Sequence, residues 1–226
     1  MIPLRDTNPS RTTPFITYII IGLNVVVFGF EFLLGDYQAD LFYYFGVIPA
    51  RVTASADYDY SGIFSLFTIF TSMFLHGGLW HLLGNMLFLY VFGDNVEDRL
   101  GHFKYIIFYL LAGVAAALTQ VFIAPESEVP MVGASGAIAG VLGAYVFLFP
   151  RARVSTLIPL FIFFQVIELP AFLFLGLWFL MQMFSGVMSL GIGGDAGGVA
   201  WWAHIGGFAA GAALLPILRK RESVYQ

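Results

Sequence analysis

The chain has 226 residues, of which 59% are hydrophobic and only 11% charged, with a mean hydropathy of +0.86 and a formal net charge of −4. This composition excludes an ordinary soluble domain and points to an all-α polytopic membrane protein, expected to form one domain over residues 1–226. Cysteine is absent, which removes disulfides, thiolate metal ligands and a cysteine nucleophile, and nothing suggests a nucleic-acid surface.

A bilayer core of about 30 Å needs about 20 apolar residues per helix. Six stretches meet or approach that length, at 15–34, 80–96, 103–124, 134–149, 168–190 and 200–218. The first lacks a cleavage-site pattern and reads as a retained span with Glu31 at its outer interface. The connection 35–75 is rich in Phe and Tyr, as expected of a loop resting partly in the membrane interface. The second span is preceded by His76, carries His81 and Asn85 in its first turns, and closes on the run from Gly93 to Gly101. Glu97 in that run is expected to tie helix ends or backbone N–H groups together. The fourth span is short, but its Gly and Ala content suits a helix buried among others. A Pro-broken apolar stretch at 157–167 reads as a re-entrant or interfacial piece, and the fifth span follows with Glu168 and Pro170 at its start. The glycine-rich loop 188–200 is either a mobile cap or a flexible connector.

Lys and Arg set the orientation, since positively charged loops are retained in the cytoplasm. Nine of the ten basic residues fall at the termini or in the even-numbered loops, and only Arg51 departs. Both termini are therefore expected in the cytoplasm. Spans two, four and six then run from outside to inside, which brings His81, Asn85, Ser135 and His204 to one depth near the outer face. Polar side chains are costly in a bilayer, so their convergence reads as a buried site.

Ser135 lies in Gly133-Ala134-Ser135-Gly136 at a loop-to-helix junction, where unpaired backbone N–H groups and the positive helix end favour an anion. Taken alone it reads more readily as a small packing residue or N-cap. A serine hydroxyl needs a base, and His204 is the candidate. His204, Gly207 and Gly211 share one helical face, while Gly136 and Gly140 form a matching small pair, with Ala139 and Gly143 in line with Ser135, so the two helices are expected to approach closely. Plain glycine-mediated packing, with His204 as an interfacial histidine, is the other reading of the same stripe. Asn85 is a neutral donor suited to a developing oxyanion, and His81 shares its helix face. His76 either holds the adjoining loop or extends this network. No acid is placed to orient His204, Asp195 being a weak candidate, so a Ser-His dyad is expected rather than a triad.

Four motifs in this order, His76-x4-His81-x3-Asn85, Gly93-x3-Glu97-x3-Gly101, Gly133-x-Ser135-Gly136 and His204-x2-Gly207-x3-Gly211, resemble those of the rhomboid intramembrane serine proteases. The resemblance covers about two thirds of the chain. It implies a six-helix rhomboid-like bundle with Ser135 as nucleophile, His204 as general base, and an oxyanion hole including Asn85, His81 and the Ser135 backbone N–H, with Gly133 and His76 in supporting positions. It further implies hydrolysis of peptide bonds in or beside transmembrane segments of protein substrates, within the lipid bilayer and with no metal or cofactor. Two positions depart from the family pattern. Ala139 stands where members often place an aromatic residue stacked on the histidine, and Phe67-Thr68 stands where many carry a Trp-Arg pair. An inactive rhomboid-like protein that binds transmembrane helices is the alternative function. The short termini suggest a prokaryotic inner membrane, with the site facing outward.

Overall fold

The computed structural model describes residues 1–53, 62–160, 163–191 and 199–219. Most of them are helical. Among the described residues, four helices are long and apolar enough to cross a membrane, by length and composition. The first begins with α1 (Phe15–Leu34) and continues through a 3-10 turn into α2 (Gln38–Phe45). After α3 (Pro49–Thr53) and α4 (Gly62–Thr71) comes α5 (Leu79–Leu100), bent by 80° from α4 at the break; taken together these two form a fifth candidate span. The remaining long helices are α6 (His102–Ile123), α8 (Ala171–Gly191) and α9 (Trp201–Leu218), with the shorter α7 (Ser135–Leu148) between α6 and α8.

The outward faces carry the apolar side chains. On α1, Phe15, Val26, Phe32 and Leu33 are exposed, whereas Thr17, Asn24 and Glu31 are buried on the opposite face. This inverts the pattern of a soluble protein and suits a lipid environment, where polar groups must find partners within the bundle. Asn24 donates to the Ile20 carbonyl. Glu31, expected at the outer interface, is fully buried within the bundle and accepts the His76 backbone N–H with both carboxylate oxygens, at 3.1 and 3.2 Å.

Helix α7 has 14 residues, about 21 Å at 1.5 Å per residue, which is short of a bilayer core. Every residue from Gly136 to Tyr145 is buried, so α7 is sheathed by its neighbours, as its Gly and Ala content suggested. Its contact with α9 is backbone to backbone. A Cβ on Gly207 would sit 2.0 Å from the Gly136 carbonyl oxygen, and one on Gly211 would sit 1.9 Å from that of Gly140. Only hydrogen in place of a side chain permits this approach.

Three expectations need correction. Residues 35–75 are not one loop: they contain α2, α3, α4 and two 3-10 turns among those described, because backbone groups near lipid are best satisfied within helices. The stretch 157–167, read as a re-entrant or interfacial piece, is extended strand in its described residues, 157–160 and 163–167. It belongs to a hairpin of β2 (Arg153–Leu160) and β3 (Phe163–Pro170), joined by β1 (Ile2–Asp6) in an antiparallel sheet of order β1-β2-β3, an addition to the helical architecture. The register runs from Ile2 opposite Leu157 to Asp6 opposite Val154, and from Arg153 opposite Pro170 to Leu160 opposite Phe163. Finally, Glu168 and Pro170 end β3, so the helix expected from 168 starts at Ala171, whose N–H donates to the Ala152 carbonyl at 2.7 Å.

Asp6 also receives a hydrogen bond from the Tyr145 hydroxyl, and Asn8 donates to Asn95, so the N-terminal strand is pinned to α7 and α5. Most of the 188–200 loop, with Asp195, lies outside the described residues, as do Lys220 and Arg221.

Candidate functional site

Ser135 is the first residue of α7, and His204 lies one turn into α9. The glycine contact between these helices leaves the two side chains facing each other, with Ser135 Oγ 2.8 Å from His204 Nε2. Both residues are partly buried on the wall of a cavity of about 550 Å³. Because Ser135 opens the helix, the backbone N–H groups of this first turn have no carbonyl four residues back within α7.

Gly133 holds the loop before α7 with φ of +134°, a conformation that L side chains rarely adopt. Its N–H donates to the Ser72 carbonyl at 2.9 Å, anchoring the loop against the turn before His76. A Cβ at Gly133 would lie 2.7 Å from His81 Cε1 and 3.5 Å from Ser135 Oγ. Glycine is needed there both for backbone conformation and for space, and its bare face lets the His81 ring lie beside the serine.

Asn85 lines the same cavity from α5. Its Nδ2 lies 3.0 Å from His76 Nε2, so one amide hydrogen is donated to that ring nitrogen and the other is left over. Accepting at Nε2 places the His76 proton on Nδ1, which is buried and has no partner among the described residues. His76 is itself fully buried and packs edge-on against His81, with ring centroids 5.1 Å apart. It therefore stands behind Asn85 rather than at the cavity wall.

The four polar residues expected at one depth thus come together in one cavity, and His76 joins them indirectly. Glu97 lies at the far end of α5, about 18 Å of helix from Asn85. Its carboxylate accepts from Ile16 N at 2.9 Å, Thr17 N at 2.8 Å and Thr17 Oγ1 at 2.7 Å, and meets His102 Nδ1 at 2.5 Å. This is the helix-tying role foreseen for it.

Three side chains around His204 were not foreseen. Gln182 Oε1 is 2.7 Å from His204 Nδ1, the Trp178 ring lies 6.0 Å from the imidazole at 35°, and the Trp201 ring meets it edge-on at 6.2 Å and 87°. Gln182 and Trp178 come from α8, so the imidazole lacking an aromatic at Ala139 is flanked from another helix. The available signal was a lone amide in an apolar segment, where an unpaired polar group is costly.

Sequence comparisons agree with this architecture. A family model described as Rhomboid domain matches residues 64–221. Rhomboid protein 1, mitochondrial, of Saccharomyces cerevisiae is 30% identical over 143 residues, covering 62% of this chain and 38% of that protein. Rhomboid protease GluP of Bacillus subtilis is 31% identical over 139 residues, covering 60% of this chain and 25% of that protein. Rhomboid protease GlpG of Klebsiella pneumoniae is 27% identical over 146 residues, covering 65% and 47%. The shared region is thus less than half the length of each of these three relatives. Residues 64–221 contain all four motifs and the residues that line the cavity, and with more than half of its length matched by the family model, the chain belongs to the rhomboid family.

Proposed function

We propose that this protein is an intramembrane serine endopeptidase acting through a Ser135–His204 dyad on peptide bonds in or beside transmembrane segments of other proteins. The observation that carries the reading is the 2.8 Å contact between Ser135 Oγ and His204 Nε2 on a cavity wall that also presents Asn85 and His81. Named proteases among the relatives support it.

In this mechanism His204 Nε2 takes the hydroxyl proton as Ser135 Oγ attacks the scissile carbonyl carbon. The carbonyl electron pair moves to oxygen. That oxyanion accepts hydrogen bonds from the free Asn85 amide hydrogen, from His81 and from the Ser135 backbone N–H. On collapse of the tetrahedral intermediate the C–N bond breaks, and His204 gives its proton to the departing amine. Water, deprotonated by the same imidazole, then hydrolyses the acyl-serine and restores both side chains. No metal or cofactor takes part. A transmembrane helix has its carbonyls hydrogen-bonded, so cleavage requires a segment that unwinds readily, and Gly or Pro near the scissile bond favours this.

The same reading assigns a single domain of six membrane-spanning segments with both termini in the cytoplasm, the site facing outward, and a prokaryotic inner membrane as its location. The distribution of basic residues supports the orientation.

Labelling of the purified protein with a fluorescent fluorophosphonate tests the chemistry without a known substrate. Wild type is expected to label, and Ser135→Ala and His204→Ala are not. Labelling that persists in Ser135→Ala would remove the serine from its role. A wild type that neither labels nor cuts a transmembrane reporter would favour an inactive binder of transmembrane helices.

A further inference from the structure

Neutral imidazole carries one proton on one of its two nitrogens, and it can act as a base toward Ser135 only if that proton sits on Nδ1. A proton on Nε2 would face the serine oxygen and leave no lone pair to receive the hydroxyl hydrogen. Something beside Nδ1 must therefore select between the two forms. Among the described residues, the group in hydrogen-bond contact with Nδ1 is Gln182, through its Oε1 at 2.7 Å.

We propose that Gln182 is the positioning residue of the site: by accepting the Nδ1–H of His204 it fixes the tautomer in which Nε2 is the base for Ser135. The inference rests on the protease reading above and adds a third side chain to it. Gln182 is buried and sits four residues after Trp178, so both project from one face of α8 toward α9. The next turn of that face is Gly186, whose carbonyl accepts the Trp202 Nε1–H at 3.2 Å. That bond ties α8 to the first turn of α9 and holds the amide in line with the ring. A neutral amide performs this task without burying a second charge in a site that must already accommodate an imidazolium during the reaction. The arrangement also answers the loss of an aromatic at Ala139, because orientation comes from α8 by hydrogen bond and by the Trp178 face.

Two substitutions in the full-length protein separate positioning from filling space. Gln182→Met keeps the volume and loses the acceptor, whereas Gln182→Glu keeps the acceptor. If Gln182 positions His204, fluorophosphonate labelling slows by about tenfold or more in the Met variant, part of the roughly 10²- to 10⁴-fold that a positioned general base supplies, and stays within a few-fold of wild type in the Glu variant. A packing role predicts near-wild-type labelling in both variants, so wild-type labelling in Gln182→Met would overturn the proposal. Nitrogen-15 spectra of histidine-labelled protein give a second readout that needs no variant to remain active. The His204 proton is expected on Nδ1 in wild type, and finding it on Nε2 would sink the idea even if the Met variant failed to fold. Ser135→Ala serves as the control. If it still labels, the protease reading itself fails; if its labelling is lost while Gln182→Met labels normally, only the role of Gln182 fails.

Discussion

Two polar clusters lie toward opposite ends of α5, and they differ in how fully their hydrogen bonds are used. Around Glu97, two backbone donors, a threonine hydroxyl and His102 converge on one buried carboxylate. Around Ser135, Asn85 retains an unused amide hydrogen on the cavity wall. A saturated cluster stabilises the fold, since each buried group has found its partner. A cluster with spare donors beside a cavity has capacity for a ligand that arrives later. The contrast separates structural from chemical polar residues in a membrane protein, where burial alone marks both.

Substitutions at the two clusters should therefore fail in different assays. Asn85→Ala is expected to slow reporter cleavage by about 10²- to 10³-fold, the usual cost of one oxyanion donor, while loss of its bond to His76 lowers stability by only about 1 kcal/mol. A large loss of stability in that variant would move Asn85 to the structural class. Glu97→Ala should do the reverse: it orphans Ile16 N and Thr17 N and lowers stability by about 3 kcal/mol in a detergent unfolding titration, while the labelling rate per folded molecule holds. Gly207→Ala sits between the two. Its Cβ would overlap the Gly136 carbonyl, so about 2 kcal/mol of stability and part of the Ser135–His204 alignment should be lost together, measured by melting and labelling on one preparation.

The smallest effect is at Asp6, outside the membrane-spanning helices. Burial pushes its carboxyl up to about 6 from the ordinary 3.8, with the Tyr145 hydroxyl pulling partly back. The folded state thus holds this proton more tightly than the unfolded chain does. The associated stability is fully present below about pH 4 and is lost as pH rises through about 6. Asp6→Asn should flatten that slope, which amounts to on the order of 1 kcal/mol after solvent screening, and an unchanged slope in unfolding titrations would assign the pH dependence elsewhere.

Much of the candidate site was legible because membranes make polar residues conspicuous. Ser135, His204, His81 and Asn85 interrupt apolar runs at helix starts, and the Gly136, Gly140, Gly207 and Gly211 stripes pointed to the close contact that the structure contains. Gln182 was passed over because it matches no catalytic motif, and its meaning appears only once α8 is packed beside α9. The partner of Glu31 was illegible for a related reason, since it is a backbone N–H some 45 residues away that carries no side-chain signature. The sheet was the least visible element. Residues 153–170 are apolar enough to resemble a membrane segment, and β1, which pairs with that stretch, is separated from it by most of the helical bundle.

That separation has a consequence in time. Ile2 pairs with Leu157, so β1 leaves the ribosome about 150 residues before its neighbour strand. At about 5–20 residues per second, this strand waits roughly ten to thirty seconds with its edge open. During that interval, α1, α5, α6 and α7 can insert and pack while the N-terminal segment is tethered through Asn95, Asp98 and Tyr145, each available as its own helix emerges. The sheet is thus a late clasp, closing over a bundle that is already more than half made, and its formation reports that α7 has been delivered to its place.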